Sequence, residues 1–341
     1  MIISSLNIRG GGSSAKRRRI HHLILKGKPD IFLIQESKLA SVSDSIAYSF
    51  WRNKDIGYSF LPSDGASGGL ISLWNSDSIK VLCSFCGEGY LGLKVVWKEE
   101  YYYIANVYSS CHRGEKRVLW RKLLDLKSRF TDGEWVIAGD FNAVKNMNEG
   151  KGGSGRYRAR EAREFSDFIS LSNLIDVPNK GKKFTWFGGD GKARSRIDRF
   201  LVADNIVIKW GIVGQLVGDR DVSDHCPIWL IGNKSNWGPK PFKDNGEWFS
   251  NKEFLLFVKK RWKEIVVEGR GDFVLKEKLK LLKESLKWWN MKVFGKFDLA
   301  VEEGVRIMNE GDEMVVDVDG EEIVVGEDGL SRKRRAQSIF G

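Results

Sequence analysis

The chain has 341 residues, 42% of them hydrophobic, enough for one large globular domain or two modest ones. Lys and Arg outnumber Asp and Glu by 56 to 45, and the net charge of +11 points to a polyanionic partner, nucleic acid before acidic membrane, without specifying chemistry. Composition excludes a disulfide framework, because Cys83, Cys86, Cys111 and Cys226 are too few and too irregular, and a helical membrane span, because no apolar run of about 18 residues exists.

A reducing compartment fits this cysteine usage. Cys83 and Cys86 have CxxC spacing but no second ligand pair, so they are expected to be packing cysteines rather than zinc ligands. No signal peptide is expected, since Met1-Ile2-Ile3 passes directly into strand-like sequence. Residues 1–8 read as a first strand with Asn7 at its end, followed by Arg9 and a flexible run of three glycines. Ser13 or Ser14 can cap a helix carrying Lys16, Arg17, Arg18 and Arg19, with Ile20, Leu23 and Ile24 on one face. The basic run is a solvated face, a phosphate contact or a nuclear import signal. His21 and His22 have no companion ligands and are expected at the surface.

Residues 30–36 form a second buried strand, which finishes at Glu36. A serine-rich helix and strands over 58–61, 69–74, 79–83, 91–97 and 101–108 follow, with turns at 62–65, 75–77 and 98–100. So many adjacent strands imply antiparallel meanders. The last strand delivers Tyr108 to a polar loop containing Arg113, and residues 115–130 repeat Val118, Leu119, Leu123, Leu126 and Phe130 at helical spacing. That helix leads into the apolar strand 135–139, giving a strand, helix, strand crossover.

At the exit of this crossover, Asp140 and Asn142 point to one side if the chain stays extended past Gly139. The stretch is either an ordinary turn or a carboxylate that moves a proton beside an amide that holds a ligand oxygen. In an open α/β sheet the ligand crevice lies outside the carboxyl ends of the strands, where Asn7, Glu36 and Asp140 all fall. The loop 148–158, with Lys151, Arg156 and Arg158, suits phosphate contacts, and residues 161–174 read as a helix. A strand over 184–187 and a turn over 188–191 precede a strand over 196–202. There Asp198 shares the apolar face with Phe200 and Val202 and requires a partner. His225, just before another buried strand, can supply it, as a structural pair or as an oriented imidazole.

Together, Asn7, Glu36, Tyr108, Gly139-Asp140-Phe141-Asn142, Arg196-Ile197-Asp198-Arg199-Phe200 and Ser223-Asp224-His225 resemble, in order, the motifs of the endonuclease/exonuclease/phosphatase superfamily over residues 1–232. Asn-x-Arg-Gly-Gly from Asn7, Asn-Glu-Gly-Lys-Gly-Gly-Ser from Asn148, Phe-Thr-Trp from Phe184 and Ile-Asp-Arg-Phe from Ile197 narrow the likeness to the endonuclease domain of a plant LINE-type (non-LTR) retrotransposon polyprotein. The resemblance implies an α/β fold, a four-layer sandwich of two packed, mainly antiparallel sheets flanked by helices. It also implies a Mg²⁺-dependent (or Mn²⁺-dependent) endonuclease that nicks double-stranded DNA in the nucleus and leaves a 3′-hydroxyl to prime reverse transcription.

By position, Asp140, Asn142, Asp198, His225 and Tyr108 take the catalytic roles. Glu36, with Asn7 and Asp224, takes the metal. Arg9, Lys16, Arg17, Arg113, Lys151, Arg156, Arg158 and Arg196 are the expected nucleic-acid contacts. Oxygen ligands suit Mg²⁺ or Mn²⁺ rather than zinc. Abasic-site repair relatives carry an acid where Arg9 stands, an aromatic wall where Ser195 stands and an Asn near Cys111 or His112, so an abasic pocket is not expected. An idle nucleic-acid-binding relic and a lipid phosphodiesterase are the competing readings.

The composition shifts after residue 232. Residues 233–250 read as a linker, 251–296 as a helical extension with Leu255, Val258, Trp262, Ile265, Leu279, Leu282, Leu286, Trp289 and Val293 apolar, and 297–341 as an acidic, loosely ordered tail with a basic end. A reverse transcriptase follows such a region in these polyproteins, so the chain is expected to be truncated before that partner domain.

Overall fold

Along β1 (Ile3–Asn7) and β2 (Ile31–Gln35) every residue is buried, so these strands need cover on both faces. Side chains of β2 supply it by alternation: Ile31 and Leu33 join one core cluster, Phe32 and Ile34 another. The computed structural model describes residues 1–53, 55–65, 67–152, 159–189, 191–232, 252–267, 269–293, 315–318 and 321–324, divided between the units Met1–Lys234 and Ser235–Gly341.

In the first unit, β1 and β2 pair in parallel at the centre of a seven-stranded sheet. Outward from β2 lie β4 (Ser67–Asn75) and the edge strand β3 (Ile56–Asp64). Outward from β1 lie β16 (Ile228–Gly232), β15 (Ile212–Val217) and β11 (Asn179–Gly181). A second sheet of six has the order β10 (Leu174–Asp176), β14 (Asp198–Ala203), β8 (Glu134–Asp140), β7 (Glu100–Tyr108), β6 (Tyr90–Trp97) and β5 (Lys80–Gly87). Only β7 and β8 run parallel in it, and α3 (Arg113–Arg129) joins them as the expected crossover. Short strands β12 (Trp186–Phe187), β13 (Arg194–Ser195) and β9 (Gly150–Lys151) make a third sheet.

Between the two large sheets, Ile3, Ile31 and Leu33 pack with Leu93, Ile104, Val136 and Phe200. Helices α1 (Ser14–Gly27) and α2 (Asp44–Phe50) cover the outer face of the first sheet through Ile20, Ile24, Ala47 and Phe50. Leu119 and Leu123 of α3, with Phe165 and Phe168 of α4 (Ala159–Leu171), cover the second. The fold is therefore the four-layer α/β sandwich expected. A buried polar belt ties the sheets together: Asn106 Nδ2 of β7 donates to the carbonyls of Ile34 and Ile71 at 3.1 Å, and Gln35 Nε2 donates to Asn106 Oδ1 at 2.6 Å.

Several local expectations are corrected. Pro62 lies inside β3 rather than in a turn, because β3 is an edge strand that can spare an N–H. Cys83 and Cys86 are exposed rather than packed, since β5 is also an edge and its register shifts between Val81 and Cys83. His21 is buried, with its Nδ1 facing the Arg52 N–H at 3.4 Å. The helix expected to reach Leu174 stops at Leu171. Asn173 then takes a left-handed φ of 49° and Leu174 opens β10. Strands β10, β11 and β15 and the helix α5 (Asp204–Lys209) were not anticipated.

In the second unit, α6 (Lys252–Glu264) and α7 (Gly271–Val293) pack through Phe254, Phe257, Val258, Leu286 and Trp289. Arg261 Nε donates to Ser285 Oγ across the pair. The expected linker, 233–250, and most of the tail lie outside the described residues. Within the tail, Val315–Val318 and Glu321–Val324 pair as a hairpin. Among the described residues no helix is long and apolar enough to cross a membrane.

Gly139 sits one residue before the end of β8 at φ +142°, where an added Cβ would lie 1.9 Å from the Val107 carbonyl oxygen. Backbone cannot yield there without breaking the β7–β8 pairing. Gly139→Ala is expected to cost about 2 kcal/mol or more of stability, seen as a lower urea midpoint. An unchanged midpoint would contradict this packing.

Candidate active site

Sheet register places the polar residues before any side chain is considered. Tyr108 of β7 pairs with Asp140 of β8, and Asp140 pairs with Asp198 of β14, so three strands of one sheet present Tyr108, Asp140 and Asp198 in a row. Asp140 and Asp198 are only 1% and 2% exposed. Directly opposed like charges are destabilising in a sheet, and burial makes them more so.

His225 resolves this conflict. It is 4% exposed, its Nδ1 lies 3.0 and 3.1 Å from the two Asp198 oxygens, and its Nε2 is 3.9 Å from Asp140 Oδ2. Burial alone would lower the imidazole's affinity for a proton, but Asp198, through charge and hydrogen bond, and then Asp140 and Asp224 raise its pKa to about 9. Burial and then Asp198 push the Asp140 carboxyl up to about 7, against the pull of His225, the Asn142 N–H and the Asn7 amide.

The first sheet supplies the opposite wall. Asn7 Nδ2 donates to Asp140 Oδ2 at 2.9 Å and faces Glu36 Oε1 at 3.3 Å, while the Tyr108 hydroxyl donates to Glu36 Oε1 at 2.7 Å. Burial and Glu36 push the Tyr108 phenol far up, which keeps it a donor. Asn142 adopts a left-handed φ of 46°. Its backbone N–H donates to Asp140 Oδ1 at 2.9 Å and its side-chain amide to the Ser109 carbonyl at 2.8 Å. Asp224 accepts from Trp186 Nε1 at 2.9 Å and Arg9 Nη1 at 2.5 Å. Burial works against its charge, yet His225, Arg9 and Trp186 hold its pKa below the usual carboxylate range.

Asn7, Glu36, Tyr108, Asp140, Asn142, Asp198, Asp224 and His225 are thus brought together. Of the eight expected basic contacts, six lie among the described residues, and four of those bind groups of the protein other than the site carboxylates. Lys16 donates to the Ile8 carbonyl, and Arg17 to those of Gly11 and Gly12, so both hold the glycine loop. Arg113 is paired with Glu164. Arg196 is turned inward against Glu149 and Asp176, each at 2.8 Å, which corrects its expected place on a nucleic-acid surface. Arg9 reaches the site mouth, Lys151 lies on β9, and Arg156 and Arg158 lie outside the described residues.

Three supports escaped sequence reasoning. Lys116, buried on α3, donates to the Asn142 carbonyl and, at 2.5 Å, to Glu161, pinning the loop after Asp140. Thr185 Oγ1 accepts from the N–H groups of Ile197 and Asp198, and its carbonyl accepts from Cys226, so the Phe-Thr-Trp stretch joins the Asp198 and His225 segments. Arg199, 0% exposed, binds Glu149 at 2.5 Å and Asp176 at 2.9 Å. Burial opposes the Glu149 charge, but Arg199 and then Arg196 hold its pKa down to about 2. Only the opposite parity of Arg199 to Asp198 hinted at this in the sequence.

Glu36 and Asp224 offer carboxylate oxygens at the mouth, the donor type that suits a divalent cation of the Mg²⁺ kind. The Arg9 guanidinium already places positive charge between two carboxylates, 2.5 Å from Asp224 Oδ2 and 4.0 Å from Glu36 Oε2. Asp140, Asp198 and His225 also offer ligand atoms within 4.8 Å of one another, but the His225–Asp198 hydrogen bonds commit that pair to each other.

The folded protein binds the His225 proton more tightly than an unfolded chain at 6.5 does. Its contribution to stability is therefore complete below pH 6.5 and is lost as pH rises toward 9. Asp140, raised from 3.8 to about 7, acts in the same direction over its own lower window. Urea unfolding in chelator should show stability falling between pH 6.5 and 9 by on the order of 3 kcal/mol, with His225→Gln flattening the curve. A flat wild-type profile would contradict the pairing.

No curated protein sequence matches the chain. Solved structures with the same fold include the 3′ phosphatase NExo from Neisseria bound to product DNA hairpin (16% identity, TM-score 0.55, 69% of this chain and 100% of that one). AP endonuclease LMAP from Leishmania major is another (15%, 0.53, 67% and 86%). The endonuclease domain of TRAS1, a telomere-specific non-LTR retrotransposon, is a third (13%, 0.52, 67% and 96%). Residues 4–225 match the model of the Endonuclease/Exonuclease/phosphatase family, whose members are hydrolytic nucleases and phosphatases, and the chain belongs to that family.

Proposed function

We propose that the protein is a divalent-metal-dependent endonuclease that hydrolyses a phosphodiester of double-stranded DNA and leaves a 3′-hydroxyl. One observation carries the reading most: a buried carboxylate near neutrality, Asp140, stands 3.9 Å from an imidazolium, His225, that Asp198 orients from behind. Such a pair can exchange a proton at one oxygen and stabilise charge at another.

Asp140 is the proton-transfer group in this reading. With a pKa of about 7 it can take a proton from the attacking water or return one to the leaving oxygen at neutral pH. Asn7 and the Asn142 backbone fix its carboxylate. His225 Nε2 donates to a non-bridging phosphate oxygen, because Nδ1 is committed to Asp198. The Tyr108 hydroxyl, kept protonated, adds a donor beside Glu36. A cation of the Mg²⁺ or Mn²⁺ kind, held by Glu36 with Asn7 and Asp224, supplies charge neutralisation at the phosphate when bound. Arg9 and Lys151, together with Arg156 and Arg158, are the proposed backbone contacts.

The sequence motifs further support a role as the endonuclease of a plant LINE-type element. It would work in the nucleus with a reverse transcriptase domain as partner, its nick priming DNA synthesis. Incubation with supercoiled plasmid and Mg²⁺ should yield relaxed circles extendable by a polymerase. Asp140→Ala and His225→Ala should each lower the rate by at least about a hundredfold while preserving the fold. Absence of relaxed circles from the wild-type protein, where a control nuclease works, would overturn the proposal.

A further inference from the structure

The mouth of the site contains a contact that the proposed reaction does not use. Arg9 Nη1 is 2.5 Å from Asp224 Oδ2, Arg9 Nε is 4.0 Å from Glu36 Oε2, and Lys38 Nζ is 3.8 Å from that same Glu36 oxygen. Both carboxylates proposed to hold the cation are therefore already bridged by a side chain of this chain. The bridge rests on a stiff base. Arg9, Glu36 and Lys38 all take left-handed φ values, 46°, 48° and 53°, which are unfavourable for residues with a Cβ. Their two loops are tied by hydrogen bonds of 2.7 Å from the Gly10 and Gly11 N–H groups to the Glu36 and Ser37 carbonyls. The Arg9 side chain itself is 53% exposed. Its head can leave the carboxylates by side-chain rotation, without movement of the loops.

Charge gives that departure a consequence. Four carboxylates at the site (Glu36, Asp140, Asp198 and Asp224) face four cationic groups (Arg9, Lys16, Lys38 and His225) and leave no excess of either sign when all are ionised. A dication seated on Glu36 and Asp224 adds two positive charges and repels the guanidinium, turning the mouth positive where a polyanion approaches. Resting on the metal-dependent reading above, we propose that Arg9 is a latch on the Glu36–Asp224 pair, displaced by a divalent cation and then free to contact a DNA phosphate. Cation and DNA binding are coupled through it, and the coupling is reciprocal.

Mn²⁺ titrations followed by electron paramagnetic resonance test this without reference to activity. Removing the latch should let Arg9→Gln bind Mn²⁺ about tenfold tighter than wild type in the absence of DNA. A nuclease-resistant duplex should tighten Mn²⁺ binding in the wild type and do so less in Arg9→Gln. Lys16→Gln removes a charge near the same mouth, together with the Lys16 hydrogen bond to the Ile8 carbonyl, but neither Arg9 contact to the carboxylates, and should change Mn²⁺ affinity by no more than about twofold. Equal Mn²⁺ affinity in Arg9→Gln and wild type, or an equal gain in Lys16→Gln, overturns the latch and leaves the metal site standing. No bound Mn²⁺ in either protein overturns the metal reading and the latch with it.

Discussion

Two buried carboxylates placed opposite each other across β8 and β14 are the constraint around which the unit is built. A hydrophobic pair at Asp140 and Asp198 would suit the sheet better in isolation. The chain keeps the charges and compensates from every side: His225 between them, Asn7 from the facing sheet and the Asn142 backbone from the loop beyond. Each compensating group must reach the same point, so the two sheets must hold their relative register. The Gln35–Asn106 belt, at the same end of the sandwich, joins the sheets through hydrogen bonds that tolerate no slip.

Four of the eight left-handed non-glycine residues among the described residues lie at the same end. Arg9, Glu36, Lys38 and Asn142 are left-handed without being glycine, and each lies just beyond a strand that ends in the site. A strand that simply continued would carry these side chains along the sheet, whereas an abrupt left-handed residue turns them across its end. The strain of about 1–3 kcal/mol at each such position persists only where surroundings over-determine it. Here the restraint comes from basic residues turned inward: Arg17 on the glycine loop and Lys116 on the Asn142 carbonyl. Charge that composition suggested for nucleic acid is spent partly on holding the site.

The fold was legible wherever one strand carried its own signal. Periodicity located β1, β2, β7 and β8, and polar residues at their ends marked the site, because side-chain direction and the crevice rule are local properties. What the sequence hid was partnership across distance. Arg196 reads as a free base until Glu149 and Asp176, 47 and 20 residues away, are placed against it. Arg199 and Lys116 were hidden for the same reason. Edge strands were misjudged differently: Pro62 and the exposed Cys83 and Cys86 sit where a strand lacks a neighbour, and position in the sheet order cannot be read from a single strand.

The charge distribution resolves an apparent contradiction between a basic protein and an acidic site. A net charge of +11 favours encounter with a polyanion, an attraction that salt screens over a Debye length of about 10 Å at 0.1 M. Within the site, however, a phosphate arriving in the proposed reaction would meet Glu36, Asp140, Asp198 and Asp224, whose charge His225, Arg9, Lys16 and Lys38 only balance. In the proposed reaction that attraction brings the polymer to a mouth with no net charge of its own to hold the scissile group. The proposed cation at Glu36 and Asp224 would add the positive charge that holds the phosphate. Under that proposal the protein's overall charge would govern encounter, and the occupancy of two carboxylates would govern whether encounter leads to cleavage.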